Sequence, residues 1–324
     1  MDRSATLRVI DFGTVTPLRS QTLWHAIASG VSAGGPPTLA FCRPGGRYVS
    51  IGFHRSIDEL DPEMCGPTGL AVFRRMVGGG PVYIDPGQLF FQMVVPADWA
   101  TARRGETIRR LLEPAVAAFR DVGIPASFDD EIVLGDRKIC GHAGGQIGGA
   151  LVAVGNVIDS FDHAAAASIV RAPAPEARDE YLRQMRRFVA ATPTDFDAFV
   201  AAATHRYADA FALDPFPGDL DATERRELDR LDRLFVDPEW VGGVEGRRRP
   251  WWRVKVTSKV WVTHARIDAL RVTAAFREGR VRSVRVCTDD GVSVATRNVE
   301  EVMRRFGAPR IGELLEEMAA GAPA

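Results

Sequence analysis

The run Ala150-Leu-Val-Ala-Val-Gly-Asn-Val-Ile158 is the most apolar stretch of the chain and carries no charge. A membrane-spanning helix needs about 20 such residues, so this run is far too short to cross a bilayer, and no membrane partner is expected. It fits instead a strand buried on both faces at the centre of a sheet, which obliges the flanking sequence to supply covering layers. Upstream, the short β-type runs Leu39–Cys42, Tyr48–Ile51, Ala71–Phe73, Val82–Tyr83 and Phe90–Val95 alternate with Gly/Pro turns and predict one mixed sheet. Apolar residues at helical spacing predict helices over Gln21–Ser29 and Glu106–Val122, the second ended by Gly123 and Pro125. Ile132–Leu134 and Arg137–Cys140 add β runs, and Tyr181–Val189 and Asp195–Phe211 read as helices broken at Pro193 and Thr194.

Asp214-Pro-Phe-Pro-Gly-Asp219 reads as a domain boundary, with a hinge at Pro215–Gly218. Beyond it the pattern changes to a charged helix (Ala222–Phe235), strands near Trp251–Val256, Val260–Val262, Leu270–Phe276 and Val281–Val286, and helices Thr296–Phe306 and Ile311–Ala319. Glu278-Gly279 lies between two alternating runs as a hairpin turn. The expected fold class is α/β (α+β): a mixed-sheet domain over residues 1–218 and a small C-terminal α+β domain over 219–324.

Charge and cysteine usage narrow the function. With 41 basic against 42 acidic side chains, the net charge of -1 gives no overall field for nucleic acid or an anionic membrane. Cys42, Cys65, Cys140 and Cys287 lie far apart, and Met1–Ile10 holds no signal-peptide core, which together point to a reduced, cytoplasmic protein. The six histidines show no metal-ligand spacing and read as surface or capping residues, so no metal site is expected.

Two segments carry chemistry. Arg74-Arg75-Met-Val-Gly78-Gly79-Gly80-Pro81-Val82-Tyr83-Ile-Asp85 places three glycines behind two arginines. Glycines let several backbone N–H groups approach an anion, and an arginine beside them supplies a delocalised cation. The same residues also fit a plain flexible turn before a strand. No Walker-type or dinucleotide-binding glycine pattern is present. In the second segment, Gly135-Asp-Arg137-Lys138-Ile-Cys140-Gly141-His142-Ala143, alternation sets Lys138 opposite Arg137 and Ile139, either as a solvated edge-strand lysine or as part of an anion site.

In combination, order and separation, these segments resemble the paired signatures of the lipoate-protein ligase family in the biotin/lipoate ligase superfamily. In that family the first is typically Arg-Arg-x-Ser-Gly-Gly-Gly-Ala-Val-x-His-Asp and the second Gly-x-(Arg/Lys)-Lys-(Ile/Val)-x-Gly-x-Ala. The resemblance implies a biotin/lipoate ligase-like catalytic domain and an ATP-dependent, two-step reaction. A lipoate or octanoate carboxylate attacks the α-phosphate to give an acyl-adenylate, and a lysine of a lipoyl-domain or other carrier-protein acceptor then takes the acyl group. It further implies Lys138 and Arg75 as catalytic residues, with Gly78, Gly79, Gly80, Pro81, Val82, Tyr83, Asp85, Gly141 and Asn156 at the nucleotide and acyl site and Mg2+ offsetting triphosphate charge. Tyr83 equally fits a core aromatic, and Asn156 equally fits a residue that satisfies a neighbouring backbone group.

Three positions depart from the pattern: Val77 stands for serine, Pro81 for alanine and Ile84 for histidine. Rival readings are an ATP-independent octanoyl or lipoyl transferase and a non-catalytic lipoate-binding homologue. Ser127-Phe128 occupies the place where one transferase branch carries its cysteine. Cys140, expected on the same strand face as Lys138, is the remaining candidate nucleophile beside its reading as a small core residue. His142 falls inside the lysine motif, within reach of the phosphates on that reading. The basic, aromatic stretch Glu245–Lys259 reads as a solvated loop running into a strand or as a dock for an acidic acceptor.

Overall fold

The apolar run Ala150–Ile158 forms a strand in which every residue is buried, paired antiparallel on both edges. The computed structural model describes residues 6–66, 69–243 and 251–320. In chain order its elements begin with β1 (Thr6–Val15), α1 (Pro17–Ser32), β2 (Thr38–Pro44), β3 (Tyr48–Ile51), β4 (Ala71–Arg74), β5 (Val82–Ile84) and β6 (Gln88–Pro96). Next come α2 (Arg104–Asp121), β7 (Ser127–Phe128), β8 (Ile132–Leu134), β9 (Arg137–Ile147), β10 (Ala150–Ile158), α3 (His163–Ser168), α4 (Pro175–Phe188) and α5 (Phe196–Phe211). The chain continues through β11 (Asp214–Pro217), α6 (Ala222–Phe235), α7 (Pro238–Gly242), β12 (Trp252–Lys255), β13 (Val260–Ile267), β14 (Leu270–Arg277), β15 (Arg280–Thr288), β16 (Ser293–Thr296), α8 (Val299–Phe306) and α9 (Arg310–Ala320). No described helix is long and apolar enough to cross a membrane.

Chain contacts divide the molecule into Met1–Asp162 with Ala190–Gly246, and His163–Val189 with Arg247–Ala324. In the first unit an eight-stranded mixed sheet has the order β11-β1-β2-β6-β10-β9-β8-β7. The period-two geometry of β6 and β10 sends alternate side chains to opposite faces. Leu89, Phe91, Met93, Leu151 and Ala153 meet Leu111, Phe119, Phe199 and Tyr207 of α2 and α5. Phe90, Val94, Val152 and Val154 meet Trp24, Ile27, Leu231 and Phe235 of α1 and α6. The β runs between Thr38 and Pro96 do not form one sheet as expected: β3, β4 and β5 leave to make a separate three-stranded sheet, β4-β3-β5. Strand composition marks these segments as β but does not say which edges they pair with.

Where the sequence suggested a boundary at Gly218, the first unit continues through α6. The anchor is a buried ion pair in which the Arg8 guanidinium donates to both Glu224 carboxylate oxygens, at 2.9 and 2.5 Å. Glu224 also closes the N-terminal capping box of α6, and Gly30 of α1 leaves it room, since a Cβ there would lie 2.2 Å from Glu224 Oε1. The expected hinge is instead β11, an edge strand parallel to β1 with Gly218 N–H donating to Val9 O at 2.9 Å. Proline is tolerated at such an edge.

The second unit holds a five-stranded antiparallel sheet, β12-β13-β14-β15-β16. Val302, Ile311, Leu315 and Met318 of α8 and α9 pack on Trp261, Val272 and Phe276. Glu176 of α4 accepts from Arg271 at 2.7 Å and Glu180 accepts from Ser283 at 2.8 Å, tying α4 to the strands. Of the basic stretch, residues 245–250 lie outside the described residues, while Arg253 lies over the Trp261 ring at 4.5 Å.

Candidate active site

The Gly78–Gly80 loop leaves β4 and returns as β5, and a buried polar network fixes its shape. All five guanidinium N–H groups of Arg75 are taken: Nε and Nη2 by Gly78 O, Nη2 also by Gly80 O, and Nη1 by Ser50 O and Oγ, all within 2.9–3.2 Å. Arg75 therefore has no N–H left for a phosphate or carboxylate; it shapes the loop from behind, a correction to its expected anion contact. Burial lowers its pKa to about 10. Ser50 Oγ passes the chain on to Gln21 Oε1, and Gln21 donates to Tyr48 Oη. Arg74 is also consumed by carbonyls, those of Gly52, Phe53, Arg55, Trp240 and Val241.

His25, read from sequence as a surface or capping residue, is buried behind the same loop. Its Nδ1–H donates to Gln21 O at 2.6 Å, which leaves Nε2 to accept the Met76 N–H at 3.1 Å. Burial drives its pKa down to about 3, so the imidazole is neutral. No sequence signal separates this histidine from the other five.

On its open side the loop is free. A Cβ built on Gly78 or Gly80 meets no atom within 4 Å, while Gly79, at φ +105°, would drive one against Arg75. Val77 is buried against β9, where a Cβ on Gly145 would come 3.1 Å from its Cγ1. That contact sets the glycine loop against β9, the strand that carries the second motif.

Beside the loop, Pro81 is half-buried and Val82 is exposed, while Tyr83 and Asp85 are buried. Asp85 accepts from Gly87 N–H at 3.0 Å and, more distantly, from Gln88, and burial raises its pKa. Asn156 of β10 donates to Gln88 Oε1, and its Oδ1 lies over Gly141, where a Cβ would be 2.7 Å away. Among the described residues, neither Asn156 Oδ1 nor Tyr83 Oη, both buried, has a hydrogen-bond partner, a state that buried polar atoms seldom keep unless a bound group or ordered water satisfies them.

Lys138 lies at a register slip. Ile132 pairs with Cys140 but Val133 pairs with Lys138, so one extra residue of β9 is absorbed there. Ile139 and Cys140 consequently both enter the core under α2. Lys138 thus shares the face of Val133 and of the Gly141–Asn156 pair, and Cys140 does not share it as simple alternation implied. Its thiol is fully buried and pushed up to about 12 by that burial. His142 points away from the loop as well, its ring 6.3 Å from Phe128. Lys138 Nζ donates to Glu131 at 2.8 Å, a carboxylate no sequence motif singled out.

The model of the lipoyl protein ligase A/B catalytic domain matches residues 17–200. The chain is 24% identical over 262 residues to octanoyltransferase LipM of an Exiguobacterium species, spanning 70% of this chain and 95% of that protein. It is 27% identical over 238 residues to lipoate-protein ligase A subunit 1 of Thermoplasma acidophilum, spanning 68% and 90%. A structure of the bipartite lipoate protein ligase of T. acidophilum aligns with a TM-score of 0.65 at 23% identity, covering 75% of this chain and 99% of that one. A lipoate-protein ligase A bound with ATP aligns with a TM-score of 0.62 at 22% identity, covering 75% and 100%. These structures share the fold: the mixed α/β sheet architecture is that of the biotin/lipoate ligase catalytic domain. With the domain model matched over more than half its length, this chain belongs to the lipoyl protein ligase A/B catalytic-domain family.

Proposed function

We propose that this protein is an ATP-dependent acyl ligase that activates lipoate or octanoate as the acyl-adenylate and transfers the acyl group to a lysine of a lipoyl-domain or other carrier-protein acceptor. Lys138 carries the reading. The chain has 38 arginines and three lysines, and Lys138 is the only lysine of the first unit. Where arginine serves every other cationic position there, an ammonium supplies a compact point charge with three rotatable donors. Held on the strand face shared with Asn156, it is suited to neutralise charge building between a carboxylate and a phosphate. Such a group would be cradled by the Gly78–Gly80 loop, where the space beside Gly78 and Gly80 is open, and met by Tyr83 Oη and Asn156 Oδ1, which have no partner among the described residues.

In this reading Lys138 is the catalytic residue and Arg75 a positioning residue that holds the loop carbonyls turned back and the amides outward. Pro81 and Val82 form the loop wall, Asp85 and Gln88 orient the β5–β6 turn, and Gly141 admits the Asn156 side chain. ATP supplies the phosphorus that the acid attacks and the pyrophosphate that leaves. Among the described residues no group of three or more His, Cys, Asp or Glu side chains is placed to hold a metal ion, so Mg2+ would enter on the triphosphate. A lipoyl-domain acceptor is supported by the T. acidophilum relative, described with its E2 lipoyl domain.

Transfer of octanoyl from a carrier without ATP is the second reading, favoured by similarity to LipM over 95% of that protein. A thioester route needs an accessible thiolate. All four cysteines are buried, and burial pushes Cys42 and Cys140 up to about 12 and Cys65 to about 11. Pyrophosphate release with ATP, Mg2+ and octanoate separates the readings. Release that requires the acid and is lost in Lys138→Ala supports the ligase. No release, together with octanoyl transfer from an acyl-carrier protein to a lipoyl domain, refutes it in favour of the transferase.

A further inference from the structure

We infer that Glu131 is the positioning residue for Lys138: it aims the ammonium and, by sharing its charge, weakens ground-state binding of the anionic acid in favour of turnover. This deepens the ligase reading and rests on it. Glu131 is 3% exposed and its carboxylate lies 2.8 Å from Lys138 Nζ, the one lysine of a unit otherwise served by arginine. Three backbone features converge on the pair. Asp130, immediately before Glu131, takes a left-handed conformation at φ 58°, and Asp129 N–H closes the turn on Glu131 O at 2.8 Å. The register slip opposite sets Lys138 on the face of Val133. Finally, the Ala190 N–H grips Lys138 O at 2.8 Å, fixing the strand from its other side. Left-handed non-glycine residues and bulges are unfavourable locally and persist where surrounding structure over-determines them, commonly at functional sites.

The electrostatic consequence has a definite sign. A free lysine on a four-carbon stem samples many rotamers, whereas one tethered to a buried carboxylate presents its remaining donors in a fixed direction. The same carboxylate repels an incoming acid, so ground-state affinity is held down while the ammonium stays poised for the additional charge of the transition state. Removing the charge of Glu131 therefore strengthens acid binding and slows chemistry. Damage to the fold weakens binding and slows chemistry together.

The test uses the full chain with Glu131→Gln and Glu131→Asp, each checked for wild-type circular dichroism. Octanoate binding is measured by calorimetry without nucleotide, and kcat by pyrophosphate release. Glu131→Gln is expected to bind octanoate about fivefold more tightly and to lose about tenfold or more in kcat. Glu131→Asp, which keeps the charge but retracts it, is expected to restore wild-type affinity with kcat between the two. Unchanged or weakened octanoate binding in Glu131→Gln, or unchanged kcat, overturns the inference. If Glu131→Gln does not fold, wild-type kcat in Glu131→Asp overturns it and reduced kcat at unchanged affinity supports it. Wild-type protein that binds octanoate but releases no pyrophosphate refutes the ligase reading, and tighter binding by Glu131→Gln then still supports the electrostatic role.

Discussion

Lowering the pH should unfasten the glycine loop through His25, and the size of the effect follows from its surroundings. The imidazole is buried, donates from Nδ1 to Gln21 O and accepts the Met76 N–H at Nε2. Protonation would set a new N–H against that amide, and burial, the dominant cause, lowers the pKa from 6.5 to about 3. Because the folded value lies below the unfolded one, the unfolded chain binds the extra proton between them. The stabilisation is therefore present above about pH 6.5 and is lost as pH falls toward 3. The whole gap corresponds to about 5 kcal/mol, of which about 2 kcal/mol is lost between pH 7 and pH 5. Urea unfolding of wild type and His25→Gln at both pH values isolates this contribution, since other titrating groups cancel in the difference. The wild type is expected to lose about 2 kcal/mol more than the variant over that interval. A wild-type-to-variant gap that stays constant from pH 7 to pH 5 refutes the reasoning.

Three further outcomes follow from individual residues. Gly30→Ala directs a methyl into Glu224 Oε1 at 2.2 Å and should disrupt the Arg8–Glu224 pair at a cost of about 3–5 kcal/mol, read as a lower urea midpoint. Tyr83→Phe removes a buried hydroxyl that has no partner among the described residues, so stability should hold or rise while KM for acid or ATP increases; a marked loss of stability would contradict the absence of an internal partner. Cys140→Ala should leave acyl transfer to a lipoyl domain near wild type in a gel-shift assay, because its thiol is buried in the core away from the face of Lys138; abolished transfer with an intact fold would instead point to a thioester route.

Much of this site was legible because its residue types are unusual where they stand. Three adjacent glycines behind two arginines, and a lysine followed by Ile-Cys-Gly, are local patterns. Their separation along the chain already matched a known family, and the buried central strand announced itself by nine uncharged residues. The lysine count held a further signal, a single ammonium in a unit built with arginine. By contrast, nothing local distinguishes Glu131 from other acidic residues, or His25 from the other histidines. Each acquires its role from a partner that folding brings to it: His25 from Met76, 51 residues on, and Glu131 from Lys138 across the β8–β9 register slip.

The sequence by itself determined most of the helices and strands, the two motifs and the family, because helical and strand periodicity, glycine freedom and charge type are properties of neighbours along the chain. Only the tertiary structure decided which runs share a sheet, that Asp214–Pro217 is an edge strand, and that the first unit continues through α6. It also decided that Arg75 faces carbonyls and that Cys140 turns away from Lys138. The reason is physical: a guanidinium has five donors and a strand has two faces, and which groups they meet depends on pairing register and burial. A one-residue slip between β8 and β9 changes the face of every side chain beyond it.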